Sequence, residues 1–146
     1  MATEQNFSNH TRFDPVFHFF VFPVLVLTFI FTIVVTVRHW SAHPLLHLWL
    51  LVVIFTLTIF TMRTRMNDLK LQDRIIRLEE RLRLATLLPA EERASIGKLS
   101  TPQLIALRFA SDEEAPGLVR KTLGENLRPV DIKKSIVNWR ADYHRV

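Results

Sequence analysis

The chain contains no cysteine among its 146 residues, which excludes disulfide bonds, thiolate metal sites and cysteine catalysis. Glycine and proline are sparse, with three and seven residues. The sequence shows no nucleotide-binding loop, nucleophile elbow, zinc-protease motif or pair of carboxylates within an apolar run. Nothing in it therefore points to a reaction, and we expect a protein that is not an enzyme and has no cofactor.

Long apolar runs lie only in the first 62 residues, whereas charged residues become plentiful after Met62. Residues 16–37 contain no formally charged side chain and would form a helix of about 33 Å. Residues 45–62 would form a helix of about 27 Å, close to the hydrocarbon thickness of about 30 Å. Both runs predict transmembrane helices. A cleaved signal peptide is disfavoured, because the first run is too long and no small-residue cleavage site follows it.

The link between the two runs is short, so the helices are expected to form an antiparallel hairpin. Pro44 suits the first turn of the second helix, where its missing N–H costs nothing. Arg38 is the only Lys or Arg in the link, whereas residues 63–77, directly after the second run, contain five: Arg63, Arg65, Lys70, Arg74 and Arg77. The positive-inside rule predicts that this basic segment, and with it both termini, lies in the cytoplasm.

A helical stalk is predicted over residues 63–88, because neither glycine nor proline interrupts the chain before Pro89. Apolar residues in this segment follow alternating spacings of four and three, which is a heptad seam of about two repeats. The seam either pairs with a helix of another chain or forms the core face for the helices that follow. Its members are Leu71, Ile75, Leu78, Leu82 and Ala85. Glu79, four residues before Arg83, predicts a favourable side-chain pair.

Residues 89–146 read as a small bundle of three or four short helices with recognisable caps. Ser100 precedes an early proline, and the segment from Ser111 to Glu114 fits a capping box. Ile132 and Ile136 are expected to be buried. Short helices and basic residues are also ingredients of DNA-binding proteins. Acidic residues are interleaved throughout, however, and a membrane tether would restrict access to DNA, so no nucleic-acid partner is expected.

Histidines are the best chemical candidates. His39, His43 and His47 are four residues apart, a spacing that on one unbroken helix would place three imidazoles on one face for zinc or copper. Pro44 starts a new helix among them, so they need not converge. His18 could be a haem ligand, but the predicted topology places it near the opposite membrane face from His47. A single hairpin could not ligate haem through both.

A polar cluster at residues 9–14 precedes the first apolar run. The stalk begins at the same membrane face with Arg63 and Arg65. We expect an ion pair between Asp14 and either arginine to lock the N-terminus to the stalk.

Several stretches together resemble one family. They are NHTRFDP at residues 9–15, FHFF at 17–20, QDRIIRLEERLR at 72–83, QLIALRFASD at 103–112 and NWRADY at 138–143. They resemble an uncharacterised family, a domain of unknown function, of small bacterial two-helix inner-membrane proteins. The resemblance implies a location in the bacterial inner membrane, and it supplies no activity, cofactor or catalytic residue.

The predicted fold is thus an all-α membrane protein with four parts: an N-terminal segment 1–15, a transmembrane hairpin 16–62, a cytoplasmic stalk 63–88 and a C-terminal helical bundle 89–146. We expect a membrane-anchored interaction protein, either an accessory subunit of a membrane complex or a homo-oligomer, whose partners are membrane lipid and a protein or a second copy. One alternative is a histidine-dependent metal- or haem-binding subunit of a redox complex. Another is a cytoplasmic regulator at an anionic lipid surface.

Overall fold

The structure is a computed structural model that describes residues 6–8 and 14–142. The described residues form helices and connecting turns without a strand, so the prediction of an all-α chain is confirmed. The remaining residues include most of the predicted polar cluster at 9–14 and the last four residues of the chain, which lie outside the described part. The helices are a π-helical turn Phe17–Val21, α1 Phe22–His39, α2 Pro44–Leu87, a 3-10 helix Ala90–Lys98, α3 Thr101–Leu107, α4 Ala115–Glu125 and α5 Pro129–Ser135.

The first apolar helix begins at Pro15 and contains the π-helical turn just before Pro23. Proline has no N–H to donate to the preceding turn, and a wider turn is one way in which a helix accommodates this loss. The N–H of Phe22 accordingly bonds to the carbonyl of Phe17, five residues earlier. The helix then continues through α1, so the wider turn accommodates Pro23 without ending the predicted helix.

Helix α2 is continuous over 44 residues, a length of about 66 Å. Pro44 is its first residue, as predicted, and the four residues 40–43 separate it from α1. By length and composition, the helices Phe17–His39 and Pro44–Leu87 could each cross a membrane. Only 6% of each apolar window is buried, whereas the core helix of a soluble protein is mostly buried.

The chain divides into two compact units, Phe13–Asp68 and Leu69–Val146, the second of which also includes residues 6–8. In the first unit, threonines recur every four residues along α1, and this row is only partly covered: Thr36 is buried, and Thr28 is exposed. The hydroxyls of Thr32 and Thr36 donate hydrogen bonds to backbone carbonyls of their own helix. Thr32 donates to the carbonyl of Thr28 at 2.8 Å, and Thr36 donates to the carbonyl of Thr32 at 2.7 Å.

The core of the second unit is formed by the end of α2 and the short helices that follow. Ser100 caps α3 through the full reciprocal capping box with Gln103. Helix α4 is followed by the cap residue Asn126, whose φ of 49° lies in the left-handed region that asparagine tolerates. Ile132 and Ile136 are buried as predicted. The fully enclosed apolar side chains include Leu84, Leu104, Leu107, Phe109, Val119 and Ile132.

The end of the described chain is tied back to the turn after α3. An isolated antiparallel bridge joins Ala110 to Trp139, and the N–H of Arg140 donates to the carbonyl of Phe109 at 2.7 Å. The Trp139 ring also packs against Phe109, with ring centroids 5.2 Å apart. Trp139 therefore serves the core of this unit.

Replacement of Leu104 by alanine tests this core. Leu104 is fully buried, and truncation of such a leucine costs about 2–5 kcal/mol through lost burial and the cavity left behind. We expect Leu104→Ala to lower the urea concentration at which half of the full chain in detergent is unfolded, as measured by circular dichroism. Val137→Ala is the control, because Val137 is 80% exposed; equal effects of the two changes would contradict this core.

Candidate functional site

One face of the α2 segment in the second unit packs on the short helices. Its buried members Ile76, Glu80 and Leu84 recur every four residues, and Leu88, directly after the helix, continues the row. A spacing of four keeps side chains on nearly the same side of a helix. This row includes a carboxylate, so a charged group lies within the packed face.

A second face of the same segment is apolar and exposed. We call it the α2 stripe: Leu71, Ile75, Leu78 and Leu82, which are 59%, 49%, 61% and 63% exposed. These are the residues of the predicted heptad seam. The interpretation of the seam as the core face for the following helices is therefore wrong, because the neighbouring row is the one that packs. Ala85 alone, at the end of the seam, is partly buried against the core.

An ion-pair cluster holds the buried row in place, and Arg83 is its centre. The guanidinium donates from Nη1 to Glu80 at 3.0 Å and from Nε to Asp112 at 2.8 Å. Its Nη2 donates to the carbonyl of Ala110 at 2.7 Å. These bonds connect α2 to the turn after α3 and use the planar fork of the arginine in three directions.

Two further arginines complete the cluster. Arg140 Nη1 lies 3.7 Å from a Glu80 oxygen, and Arg108 Nε lies 3.3 Å from Asp142. Arg108 also stacks over the Phe109 ring, at 4.6 Å from its centroid. The cluster borders a cleft of about 480 Å³ whose lining is Ile76, Glu79, Glu80, Arg83, Arg108, Arg140, Ala141 and Asp142.

The charges around this cleft balance, since three arginines face three carboxylates. Each arginine lies beside a carboxylate of the chain itself. The arrangement is therefore suited to orienting α2 on the short helices, rather than to attracting a free anion.

Burial raises the pKa of the Glu80 carboxyl above its ordinary value, while the hydrogen bond and charge of Arg83 and the charges of Arg140 and Arg108 offset part of this effect. A raised pKa means that the folded state holds the proton more tightly than the unfolded state does. The stability that this carboxyl contributes is therefore present below its ordinary pKa of 4.5 and is lost as pH rises through the raised value.

Sequence reasoning missed this cluster. The expected pair of Glu79 with Arg83 is replaced by the pair of Glu80 with Arg83, because Glu80 belongs to the packed row and Glu79 is exposed. Glu114 likewise uses only half of the predicted capping box. Its N–H bonds to the Ser111 hydroxyl, whereas its carboxylate accepts from the backbone N–H of Asn138. The signal that could have found Glu80 is its place in a spacing-of-four row that ends in leucines.

The predicted metal ligands are not brought together. His39 ends α1 and His43 precedes α2, and both are exposed, whereas His47 is buried at 7% exposure. Within residues 6–8 and 14–142, no three His, Cys, Asp or Glu side chains form a group that could hold a metal ion. The reason is the break between the helices, which places the three imidazoles on different elements. His18 bonds through Nδ1 to the Asp14 carbonyl at 2.8 Å.

The ion pair predicted for Asp14 is formed with Arg65. Its Nη1 lies 3.5 Å from the Asp14 carboxylate, and its guanidinium lies over the Phe17 ring, 5.3 Å from the centroid. Arg63 is exposed and is not the residue placed beside Asp14. Asp14 has a second role, since its other oxygen accepts from the N–H of Phe17 at 3.1 Å in the first helical turn.

The two roles of Asp14 can be separated by mutation. We expect Asp14→Ala to expose the preceding residues to limited proteolysis, because both the helix-start bond and the contact with Arg65 are lost. Asp14→Asn keeps an acceptor for Phe17 and should give a smaller effect, since a partly exposed ion pair contributes only about 0.2–1 kcal/mol. Arg63→Ala is the control. Cleavage of all three variants at the rate of the unsubstituted chain would refute the lock.

The Glu80 carboxyl predicts a pH dependence. Between pH 4.5 and neutrality, the resistance of the full chain to urea should fall as this carboxyl ionises within the packed face. Glu80→Gln should flatten that part of the profile, whereas Glu113→Gln, at an exposed position, should leave it unchanged. A Glu80→Gln profile that is parallel to that of the unsubstituted chain would contradict this assignment.

Comparison with known proteins adds a family and no activity. No curated protein and no solved structure matches the chain. A family model does match, over residues 1–146, and its description is a family of unknown function. Because the match covers the whole length, the chain belongs to this family, DUF6526.

Proposed function

We propose that this protein is a membrane-anchored interaction protein without enzymatic activity, either an accessory subunit of a membrane complex or a homo-oligomer. A hairpin of two transmembrane helices anchors it, α2 continues as a stalk, and the short helices form a bundle on that stalk. The resemblance noted in the sequence supports the bacterial inner membrane as its location.

The anchor is supported by the exposed apolar surface of the two long helices. Exposure of this surface to water would cost roughly 25 cal/mol per Å². In a bilayer the same surface contacts lipid and this cost is removed. The contact of Asp14 with Arg65 supports an antiparallel hairpin, because it joins the start of the first helix to a point 21 residues into α2. The exposed basic residues Arg63, Lys70, Arg74 and Arg77 support a cytoplasmic stalk, where they can also lie against anionic headgroups.

The α2 stripe is the observation on which the interaction function rests. Complete burial of one leucine or isoleucine side chain stabilises a protein by about 1.5–3 kcal/mol. The stripe leaves four such side chains about half exposed or more on one helix face, and contiguous apolar patches mark interaction sites. The buried ion-pair cluster is engaged in orienting α2, so it supports a structural role rather than catalysis.

The stripe predicts the mass of the detergent-extracted assembly. The double change Ile75→Gln and Leu78→Gln keeps good helix formers but removes the apolar surface. We expect the assembly, extracted in mild detergent and weighed by native mass spectrometry, to fall to the single chain of 17.1 kDa. Met66→Gln with Leu69→Gln is the control, because both residues are exposed on the same helix away from the stripe. An unchanged mass for the stripe variant would refute the proposed function.

A further inference from the structure

The α2 stripe has the spacing of a coiled coil. It places Ile75 and Leu82 at the a positions of a heptad and Leu71 and Leu78 at the d positions. A β-branched residue at a with leucine at d favours two parallel strands, and Ile75 with its neighbours Leu71 and Leu78 has this combination, whereas Leu82 does not add to it. Ala85 takes the next d position, where it is already partly covered by the core of the same chain.

The residues that flank the stripe distinguish the two possible directions. Arg74 occupies a g position and Glu79 the following e position, and both are exposed. In a parallel pair, a g residue faces the e residue five positions later in the other helix. Arg74 of each copy would then face Glu79 of the other copy, which gives two symmetrical ion pairs. In an antiparallel pair, g residues face each other, so that Arg74 would meet arginine at position 74 or 81.

The buried row leaves room for such a pair. Glu80 occupies the f position, opposite the a and d positions on a helix, and Ile76 and Leu84 lie beside it at b and c. All three are buried; Leu84 belongs to the core formed with the short helices, and Ile76 and Glu80 line the cleft beside Arg108 and Arg140. The core of each chain therefore lies on the side of α2 away from the stripe.

A membrane anchor would supply what so short a seam lacks. Two heptads are marginal as an isolated coiled coil, but confinement to one membrane raises the effective concentration of the second helix. Two copies inserted in the same orientation also present α2 in parallel and at the same height. The anchor thus favours the same direction and register as the charges at Arg74 and Glu79.

We infer that the occupant of the α2 stripe is a second copy of this chain. The two helices pair in parallel and in register over residues 71–85, with Arg74 of each copy beside Glu79 of the other. This inference rests on the proposed interaction function and names its partner.

Charge reversal in two differently tagged copies tests the pairing. Arg74→Glu alone and Glu79→Arg alone each place like charges at both symmetrical contacts, so each variant should recover about tenfold less of its own tagged copy. When the two variants are mixed, each contact again joins opposite charges, and recovery should return to that of the unsubstituted chain. The double variant Arg74→Glu with Glu79→Arg should also self-associate.

Matched controls separate pairing from net charge. Lys70→Glu and Asp73→Arg make the same charge changes at exposed heptad positions that do not flank the a and d residues. Both variants should self-associate like the unsubstituted chain. Cross-linking in membranes gives an independent measurement, made simple by the absence of native cysteine. Leu78→Cys should form a disulfide-linked dimer on mild oxidation, whereas Asp73→Cys should remain monomeric.

The outcomes distinguish this inference from the function on which it rests. Failure of the mixed variants to recover each other, together with no Leu78→Cys dimer, would overturn self-pairing. If the Ile75→Gln and Leu78→Gln variant nevertheless lost mass from its native assembly, the stripe would be shown to dock a different protein, and the proposed function would stand. If the assembly of that variant kept its mass, both the self-pairing and the proposed function would be overturned.

Discussion

The guanidinium of Arg83 determines which side of α2 is covered. It is bonded in three directions, to Glu80 on its own helix and to Asp112 and Ala110 on the turn after α3. Glu80 and Arg83 lie on the same helix and would move together if α2 rotated about its axis. Such a rotation would, however, take Arg83 away from Asp112 and from the carbonyl of Ala110, and Glu80 away from Arg140. The orientation of the helix, and with it the exposure of the α2 stripe, depends on this network.

The chain thereby buries a carboxylate and leaves leucines in contact with solvent. Hydrophobic burial alone would favour the opposite arrangement, since the more apolar face should turn inward. A charged face is retained inside only where its groups are paired and hydrogen-bonded, as they are here. The exposed stripe is then available to another helix, and this is why we interpret it as a docking surface.

Much of the fold followed from local patterns in the sequence. The apolar runs predicted both long helices, Pro44 predicted the start of α2, and the pattern around Ile132 and Ile136 predicted a buried face. The sequence could not show which of two neighbouring rows on α2 would pack. Periodicity indicates that a helix is amphipathic but not which element covers its apolar face. In the sequence, Glu80 and Arg83 also have the spacing of an ordinary solvent-exposed pair. An ion pair of Asp14 with an arginine was predictable in kind, but the choice of Arg65 required the three-dimensional position of each arginine.

The most direct measurement of the central claim is the accessibility of the stripe in native membranes. Single cysteines can be placed along residues 70–82 of this cysteine-free chain and labelled with a membrane-impermeant maleimide from the stalk side. The account predicts slow labelling at positions 71, 75, 78 and 82, and fast labelling at the exposed positions 70, 73 and 77. Equal labelling at all of these positions would show that nothing covers the stripe and would contradict the account.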